Sequence, residues 1–344
     1  KGPYLRTNAH FAVILTRTPF RVSFVGGGSD LPAYYERRAG AVLSTTINRY
    51  MYVQSHPFFE PNQVRLKYAQ TETVSGLSEI QHPIFRTVLE KYGLPLGREW
   101  SSIADVPAGT GMGSSSSFTV GLLHNVLAQL GRADEATKAH LAEMACRVEL
   151  EDLGEPIGKQ DQYAAAYGGL NVFRFLPDGT VQADPLDLGT EGRAELESHL
   201  VLYYTGDQRS ASSILAEQSK RTATEQDKQR VLDQMVDLVD PLAAALRNGR
   251  WSEMGNLLHE NWQLKQSLAS GITNPNLQSL YATALANGAT GGKLLGAGGG
   301  GFLLFACPPS QQSRLTQALG SIRRFPFSLE TDGSKVLYAD SENG

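Results

Sequence analysis

The sequence predicts two domains of the α+β class, placed at residues 9–188 and 189–344. Three observations carry that prediction. The chain has 344 residues, longer than the ~100–200 residues that one core usually supports. Strand-like and helix-like runs fall into blocks instead of alternating one by one, which argues against a single doubly wound parallel sheet. Glycine accounts for 35 residues and gathers at Gly26–Gly28, Gly109–Gly113 and Gly296–Gly301, so it punctuates the chain at defined places and does not form a low-complexity tract.

Taken in order, Val13–Val25 reads as a strand, with Val22 and Phe24 alternating against Arg21 and Ser23 as a half-buried strand requires. Ala41–Gln54 and Gln63–Tyr68 read the same way. Phe118, Leu122, Val126 and Leu130 recur at four-residue steps beside Leu123 and Leu127, one apolar helix stripe ended by Gly131. A second helix is expected over roughly Asp134–Leu150. Gly169–Phe175 and Thr180–Ala183 form a hairpin around Pro177-Asp178-Gly179, where proline and glycine occupy usable turn positions. That hairpin closes the first domain, and the polar stretch Asp184–Arg193 is the expected loop between domains. Beyond it come a strand at His199–Tyr204, helical stretches at about Ala211–Arg247, Trp251–Ser270 and Asn276–Asn287, and strands at Phe302–Cys307 and Lys335–Ala339. Glu217–Arg230 reads as a solvated helix face. The chain opens on Lys1, not Met, and Lys1–Asn8 are set aside from the fold reading.

Composition narrows the function classes. Thirty-one basic against 35 acidic side chains leave a net charge of -4, the wrong balance for bulk capture of a nucleic-acid backbone. Cys146 and Cys307 make neither a disulfide framework nor a zinc-ligand spacing, and a reducing cytoplasm fits them. No apolar run reaches the ~18 residues of a membrane span. The expected partner is a small molecule, with no nucleic acid and no membrane; a monomer and a homodimer are equally compatible with the sequence.

Chemistry enters with the glycine loops. In Pro107-Ala108-Gly109-Thr110-Gly111-Met112-Gly113 the backbone N–H groups can approach an anion without a Cβ in the way, and Ser114–Ser117 lead straight into a helix whose positive end favours phosphate. A plain Gly/Ser linker is the alternative. No P-loop is present, because Lys159 precedes Gln160 and Lys293 precedes Leu294, not Ser or Thr. Gly296, Gly298 and Gly301 satisfy the dinucleotide spacing, but Phe302–Phe305 reads as a strand where a helix is needed. The Gly26-Gly27-Gly28-Ser29-Asp30 segment is either a binding turn or a simple tight one. Glu149, and Asp161 within Gly158-Lys159-Gln160-Asp161-Gln162, supply carboxylates. A serine hydroxyl plus one carboxylate suits magnesium, and the second carboxylate suits a base for phosphoryl transfer; for Asp161 a surface salt bridge with Lys159 stays open.

In their order these segments resemble the GHMP kinases. Thr18-Pro19-Phe20-Arg21-Val22 resembles that family's first motif, Pro107–Ser117 its P-x-x-x-G-L-G-S-S-A phosphate loop with Met112 for the usual Leu, and Lys293–Gly301 its third motif. The resemblance implies a ribosomal-protein-S5-like N-terminal domain, a ferredoxin-like C-terminal domain and an active site in the cleft between them. It implies ATP bound by Pro107, Gly109, Thr110, Gly111, Met112, Gly113, Ser114, Ser115 and Ser116, Mg2+ held by Ser115 and Glu149, and Asp161 as base with Arg21 beside it. Where galactokinases have Glu-His before Thr-Asp, this chain has Gly27-Gly28 before Ser29-Asp30, which disfavours galactose. The Gly-Gly-Gly-Ser-Asp turn, paired with Gly158–Ala165, resembles the sugar-kinase branch that includes heptose 7-phosphate kinases. By that likeness the enzyme phosphorylates the anomeric hydroxyl of heptose 7-phosphate, with Gly28, Ser29, Asp30, Lys159, Gly298, Gly299 and Gly300 around the sugar. L-fucose, an octose phosphate, or an inactive nucleotide-binding regulator are the alternatives. Arg65 and Lys67, two apart on one strand face, and Arg49 nearby are candidate cations for the substrate's phosphate, unless they merely decorate an exposed strand.

Overall fold

The computed structural model describes residues 11–206 and 211–341; the excluded Lys1–Asn8 and the outermost residues of the two expected domains, 9–10 and 342–344, lie outside the described residues. The first half of the chain runs β1 (Phe11–Val25), α1 (Pro32–Tyr35), β2 (Gly40–Pro57), β3 (Val64–Lys67), β4 (Thr71–Val74), α2 (Pro83–Lys91), β5 (Arg98–Ala104), α3 (Ser114–Gln129), α4 (Lys138–Cys146), α5 (Gln160–Tyr167), β6 (Asn171–Phe175) and β7 (Val181–Pro185). Long β1 and β2 pair antiparallel from Ile14 opposite Ser55 to Val25 opposite Leu43, and β5 and β6 extend β2 on opposite halves of its length. The α3 helix lies on this sheet and is buried almost all round, with Leu122, Leu123, Val126 and Leu127 fully covered beside Phe20, Val22 and Phe24 of β1. Each such side chain contributes about 1.5–3 kcal/mol by leaving water, so the stripe read from the sequence underlies one cohesive core. The helix expected over Asp134–Leu150 is shorter: Thr137 caps α4 by accepting from His140 N at 3.2 Å, and the chain continues as a π-helical turn, Arg147–Asp152.

The second half runs α6 (Gly189–Ser198), β8 (Leu200–Tyr204), α7 (Ala211–Thr224), α8 (Gln226–Asp237), α9 (Val239–Arg247), α10 (Trp251–Lys265), α11 (Pro275–Ala286), β9 (Gly291–Leu294), β10 (Phe302–Ala306), α12 (Gln312–Ala318), β11 (Arg323–Arg324), β12 (Leu329–Glu330) and β13 (Lys335–Ser341). Its sheet is ordered β11-β8-β10-β9, the antiparallel order of a ferredoxin-like βαββαβ unit.

Three expectations need correction. The polar stretch Asp184–Arg193 is not a loop throughout, because β7 occupies its start and α6 begins at Gly189. The helical stretch expected over about Ala211–Arg247 is divided into three helices. Pro241, in the first turn of α9, has no N–H to extend an unbroken helix from α8. Glu217–Arg230 is not all solvated, since Gln218 and Thr222 are buried. Beyond these, β12 pairs with β2 and β13 with β1, so residues 329–341 join the first, nine-stranded sheet. The physical reason is that β1 would otherwise leave a long row of unpaired backbone groups at a sheet edge.

Candidate active site

A cleft of about 1010 Å³ is lined from both halves, by Arg21, Asp30, Ser115 and Asp161 on one side and by Gln218 and Lys265 on the other. A second cavity, of about 700 Å³ between α6 and the 324–329 segment, contains none of the residues singled out above.

One wall of the cleft is the 107–117 loop. Gly109, Gly111 and Gly113 all have positive φ, at 75°, 82° and 75°, and residues in that conformation alternate with their neighbours, turning successive N–H groups to one side. Gly113 is also the N-cap of α3 and supplies no side-chain cap, which leaves the helix's first N–H groups for an anion. Pro107, Gly109, Gly111, Gly113 and Ser114–Ser116 line the cleft; Thr110 and Met112 do not. Thr110 Oγ1 donates to the Pro107 carbonyl at 2.8 Å and Met112 is buried in the core, so their side chains stiffen the loop from behind. Tyr68, His82, Ile84, Val106 and Phe118 continue this wall as a largely apolar recess, suited to a flat heteroaromatic ring.

The glycine-rich 296–301 loop packs on the same backbone. A Cβ at Gly111 would lie 2.4 Å from the Leu295 carbonyl oxygen, and one at Gly296 would lie 2.3 Å from Gly111 Cα. The two loops cross at a distance only glycine permits. Gly296 and Ala297 reach the cleft wall, whereas Gly298, Gly299 and Gly300 do not; Gly299 N instead donates to the Ile272 carbonyl at 3.0 Å. The Gly299 N–H thus braces the loop crossing, and a contact of Gly298, Gly299 and Gly300 with substrate stays a proposal.

Asp161 lies in the first turn of α5 and faces the phosphate loop. Arg21, 4% exposed, grips it bidentately, Nε to Oδ1 at 2.7 Å and Nη2 to Oδ2 at 2.8 Å, the strongest geometry for such a pair. Its Nη1 donates to the Gly111 carbonyl, and its backbone N donates to Met112 O at 3.2 Å. One guanidinium thus fixes both the carboxylate and the loop. The salt bridge considered between Lys159 and Asp161 does not form. Lys159 donates to the Gly179 carbonyl at 2.7 Å, sits over the Tyr35 ring and is absent from the cleft wall; its contact with substrate stays a proposal.

Asp30 is buried on the cleft wall. Its Oδ1 accepts from Gly28 N at 2.8 Å and its Oδ2 from Gln160 N at 3.2 Å; burial, then the Asp161 charge, raises its pKa against the lowering effect of those N–H donors. Gly28 also lines the cleft, but Ser29 does not. The Ser29 hydroxyl is 2.8 Å from the Gly26 carbonyl and accepts from Ala41 N at 3.0 Å, spending it on the turn. Among the expected phosphate cations, Arg65 and Lys67 pair with Glu99, at 3.7 and 2.5 Å, and Arg49 donates to the Asn48 and Pro326 carbonyls. None of the three lines the cleft.

Glu149 sits on the π-helical turn, fully buried behind Ser115, whose Oγ donates to Oε1 at 2.6 Å while Gln162 Nε2 donates to Oε2 at 2.7 Å. Burial pushes its carboxyl up to about 7. Both partners are neutral, so this is a hard-oxygen pair, hydroxyl and carboxylate, beside the phosphate loop and without a paired cation. That donor set fits magnesium, which keeps waters and phosphate oxygens as its remaining ligands. Among the described residues no three His, Cys, Asp or Glu side chains converge as a metal cage.

Sequence reasoning missed Lys265 at the end of α10. It is buried in the cleft, donates to the Gly296 carbonyl and is pushed down to about 8 by burial and by Arg21. A usable signal existed: Asn261, Trp262 and Lys265 share one helix face, and a lysine there is out of place unless it reaches a site. Arg323, also missed, lines the cleft beside Tyr204 and Phe325.

Two family models match, the GHMP kinases N terminal domain over residues 80–169 and the GHMP kinases C terminal over 242–322. The D-glycero-alpha-D-manno-heptose 7-phosphate kinase of Campylobacter jejuni subsp. jejuni is 29% identical over 332 residues, covering 92% of this chain and 97% of that protein. The bifunctional fucokinase/GDP-fucose pyrophosphorylase of Arabidopsis thaliana is 27% identical, over 86% of this chain and 30% of its own length. Among solved structures, a D-glycero-D-manno-heptose 1-phosphate kinase from Bacteriodes thetaiotaomicron superposes with a TM-score of 0.74 at 25% identity, over 94% of this chain and 99% of that one. A mevalonate kinase at 18% identity superposes with a TM-score of 0.71, covering 92% and 99% of the two chains, a likeness of fold.

Proposed function

Because the chain belongs to the GHMP kinase family, we propose that it transfers the γ-phosphoryl group of ATP to the anomeric hydroxyl of D-glycero-D-manno-heptose 7-phosphate, giving the 1,7-bisphosphate. The observation that carries the reading is the Arg21–Asp161 pair, held opposite the uncapped start of α3 in one cleft. The 107–117 loop and α3 bind the ATP phosphates, and Asp30 binds sugar hydroxyls at the other end. Asp161 takes the proton of the attacking hydroxyl as its oxygen bonds to the γ-phosphorus and the bond to ADP breaks. Arg21 fixes the carboxylate that does so. Magnesium, held by Ser115 and Glu149, neutralises phosphate charge when bound. The reaction is placed in the cytoplasm, where thiols such as the buried, unpaired Cys146 and Cys307 stay reduced.

The test is a sugar panel with free and phosphorylated acceptors, the product's phosphate located by NMR. Heptose 7-phosphate used at least tenfold more efficiently than free heptose or L-fucose, with phosphate on the anomeric oxygen, supports the reading; equal use overturns the phosphorylated substrate. A free-sugar kinase is the second reading, and one observation favours it: Arg49, Arg65, Lys67 and Lys159 all point their charge elsewhere than the cleft.

A further inference from the structure

Gln218 of α7 is buried to 1% exposure on the cleft wall, and its Nε2 has no hydrogen-bond partner among the described residues. Gln160, at the start of α5, also lines the cleft and has the complementary defect: its Oε1 is buried and unpartnered among the described residues. Both amides meet the Gly27–Gly28 turn. A Cβ at Gly28 would lie 2.3 Å from Gln218 Nε2, and one at Gly27 would lie 3.6 Å from Gln160 Nε2. The turn is therefore bare where the two amides come in, and Asp30 follows it at once. A buried donor and a buried acceptor left unpaired at one end of a cleft are satisfied together by a group that both accepts and donates. A hydroxyl does that. A phosphate offers only acceptor oxygens and would face Asp30 and Gln160 Oε1 with like polarity.

We propose that Gln218 and Gln160 read one non-reacting ring hydroxyl of the acceptor sugar, which makes Gln218 a specificity-determining residue that the second half of the chain contributes to the substrate end of the cleft. This rests on the sugar-kinase reading above. It also places any phosphate on the substrate away from the Gly27–Gly28 turn.

The test compares the wild type with Gln218→Met, which keeps length but removes both polar atoms, and with Gln218→Glu, which keeps size but replaces the donor. Each is assayed on the best sugar of the panel and on its mono-deoxy analogues, with the KM for ATP measured in parallel. The expected result is a loss of about ten- to hundredfold in kcat/KM carried by the sugar KM, an unchanged KM for ATP, and one deoxy analogue that wild type and variant use equally well. A variant that still discriminates against every deoxy analogue as the wild type does overturns the proposal. So does a variant that loses ATP binding along with sugar binding, which marks a structural role. If Gln218→Met does not fold, Gln218→Glu is read by the same criteria. A wild type that phosphorylates no sugar fails at an earlier step and overturns the sugar-kinase reading itself.

Discussion

Asp161 and Glu149 are both carboxylates of the first domain, yet their surroundings divide their work. Asp161 faces the cleft in a bidentate ion pair, and Asp161→Asn should keep the shape, hold the nucleotide and lower kcat by about 10²–10⁴. A steady-state kcat above a tenth of the wild type's would show that Asp161 only positions. Glu149 is pushed up from 4.5 to about 7 by burial. A folded-state pKa above the unfolded one means the folded state holds the proton longer, so its contribution to stability is full below pH 4.5 and disappears as pH rises through 7. With metal chelated, melting temperature should fall across that window in the wild type and not in Glu149→Gln. Lys265 has the opposite sign. Lowered from 10.5 to about 8, it lets the unfolded chain bind more protons between those values, so stability should rise from pH 8 to 10.5, and Lys265→Met should flatten that rise in the same melting series.

The loops and helices show which features a sequence displays and which it hides. Glycines at 109, 111 and 113 followed by an apolar stripe announce an anion-binding loop on a helix, because every part of that device is local. Gly111→Ala tests the device: its Cβ would stand 2.4 Å from the Leu295 carbonyl at a φ of 82°, a strain of at least about 1–3 kcal/mol. Nucleotide affinity measured by calorimetry should collapse while the second sheet, which contains no part of that loop, keeps its fold. Hidden in the sequence were Gln218 and Lys265. Each sits on a helix that also carries exposed charges, and only the approach of Gln218 to the first glycine turn and of Lys265 to the third glycine loop shows that those two face inward. Lys159, Ser29 and Gly299 spend polar groups on their own turn or a neighbouring one, so a substrate contact by them is carried by the family resemblance alone.

Across the whole molecule the halves are tied by specific bonds, among them Lys293 Nζ to the Phe24 carbonyl at 3.0 Å, Gly26 N to Asn261 Oδ1 at 3.1 Å and Tyr34 to Asp233 at 2.7 Å. The order β11-β8-β10-β9 was implied by the family resemblance, whereas the return of β12 and β13 to the first sheet was not legible, since strand pairing across so long a loop leaves no periodic trace. Removing residues 329–344 should therefore damage the first sheet and not the second: near-complete loss of soluble, nucleotide-binding protein is expected on expression, where loss of the second sheet alone would leave nucleotide binding in place. The same closure sets a timetable for synthesis. β1 leaves the ribosome about 300 residues before β13, which at ~5–20 residues per second is a delay of roughly 15–60 s. During that interval the nascent first sheet exposes the β1 edge to any other chain able to pair with it, so the period of greatest aggregation hazard falls before translation reaches β13, and a chaperone that shields strand edges acts at that moment or not at all.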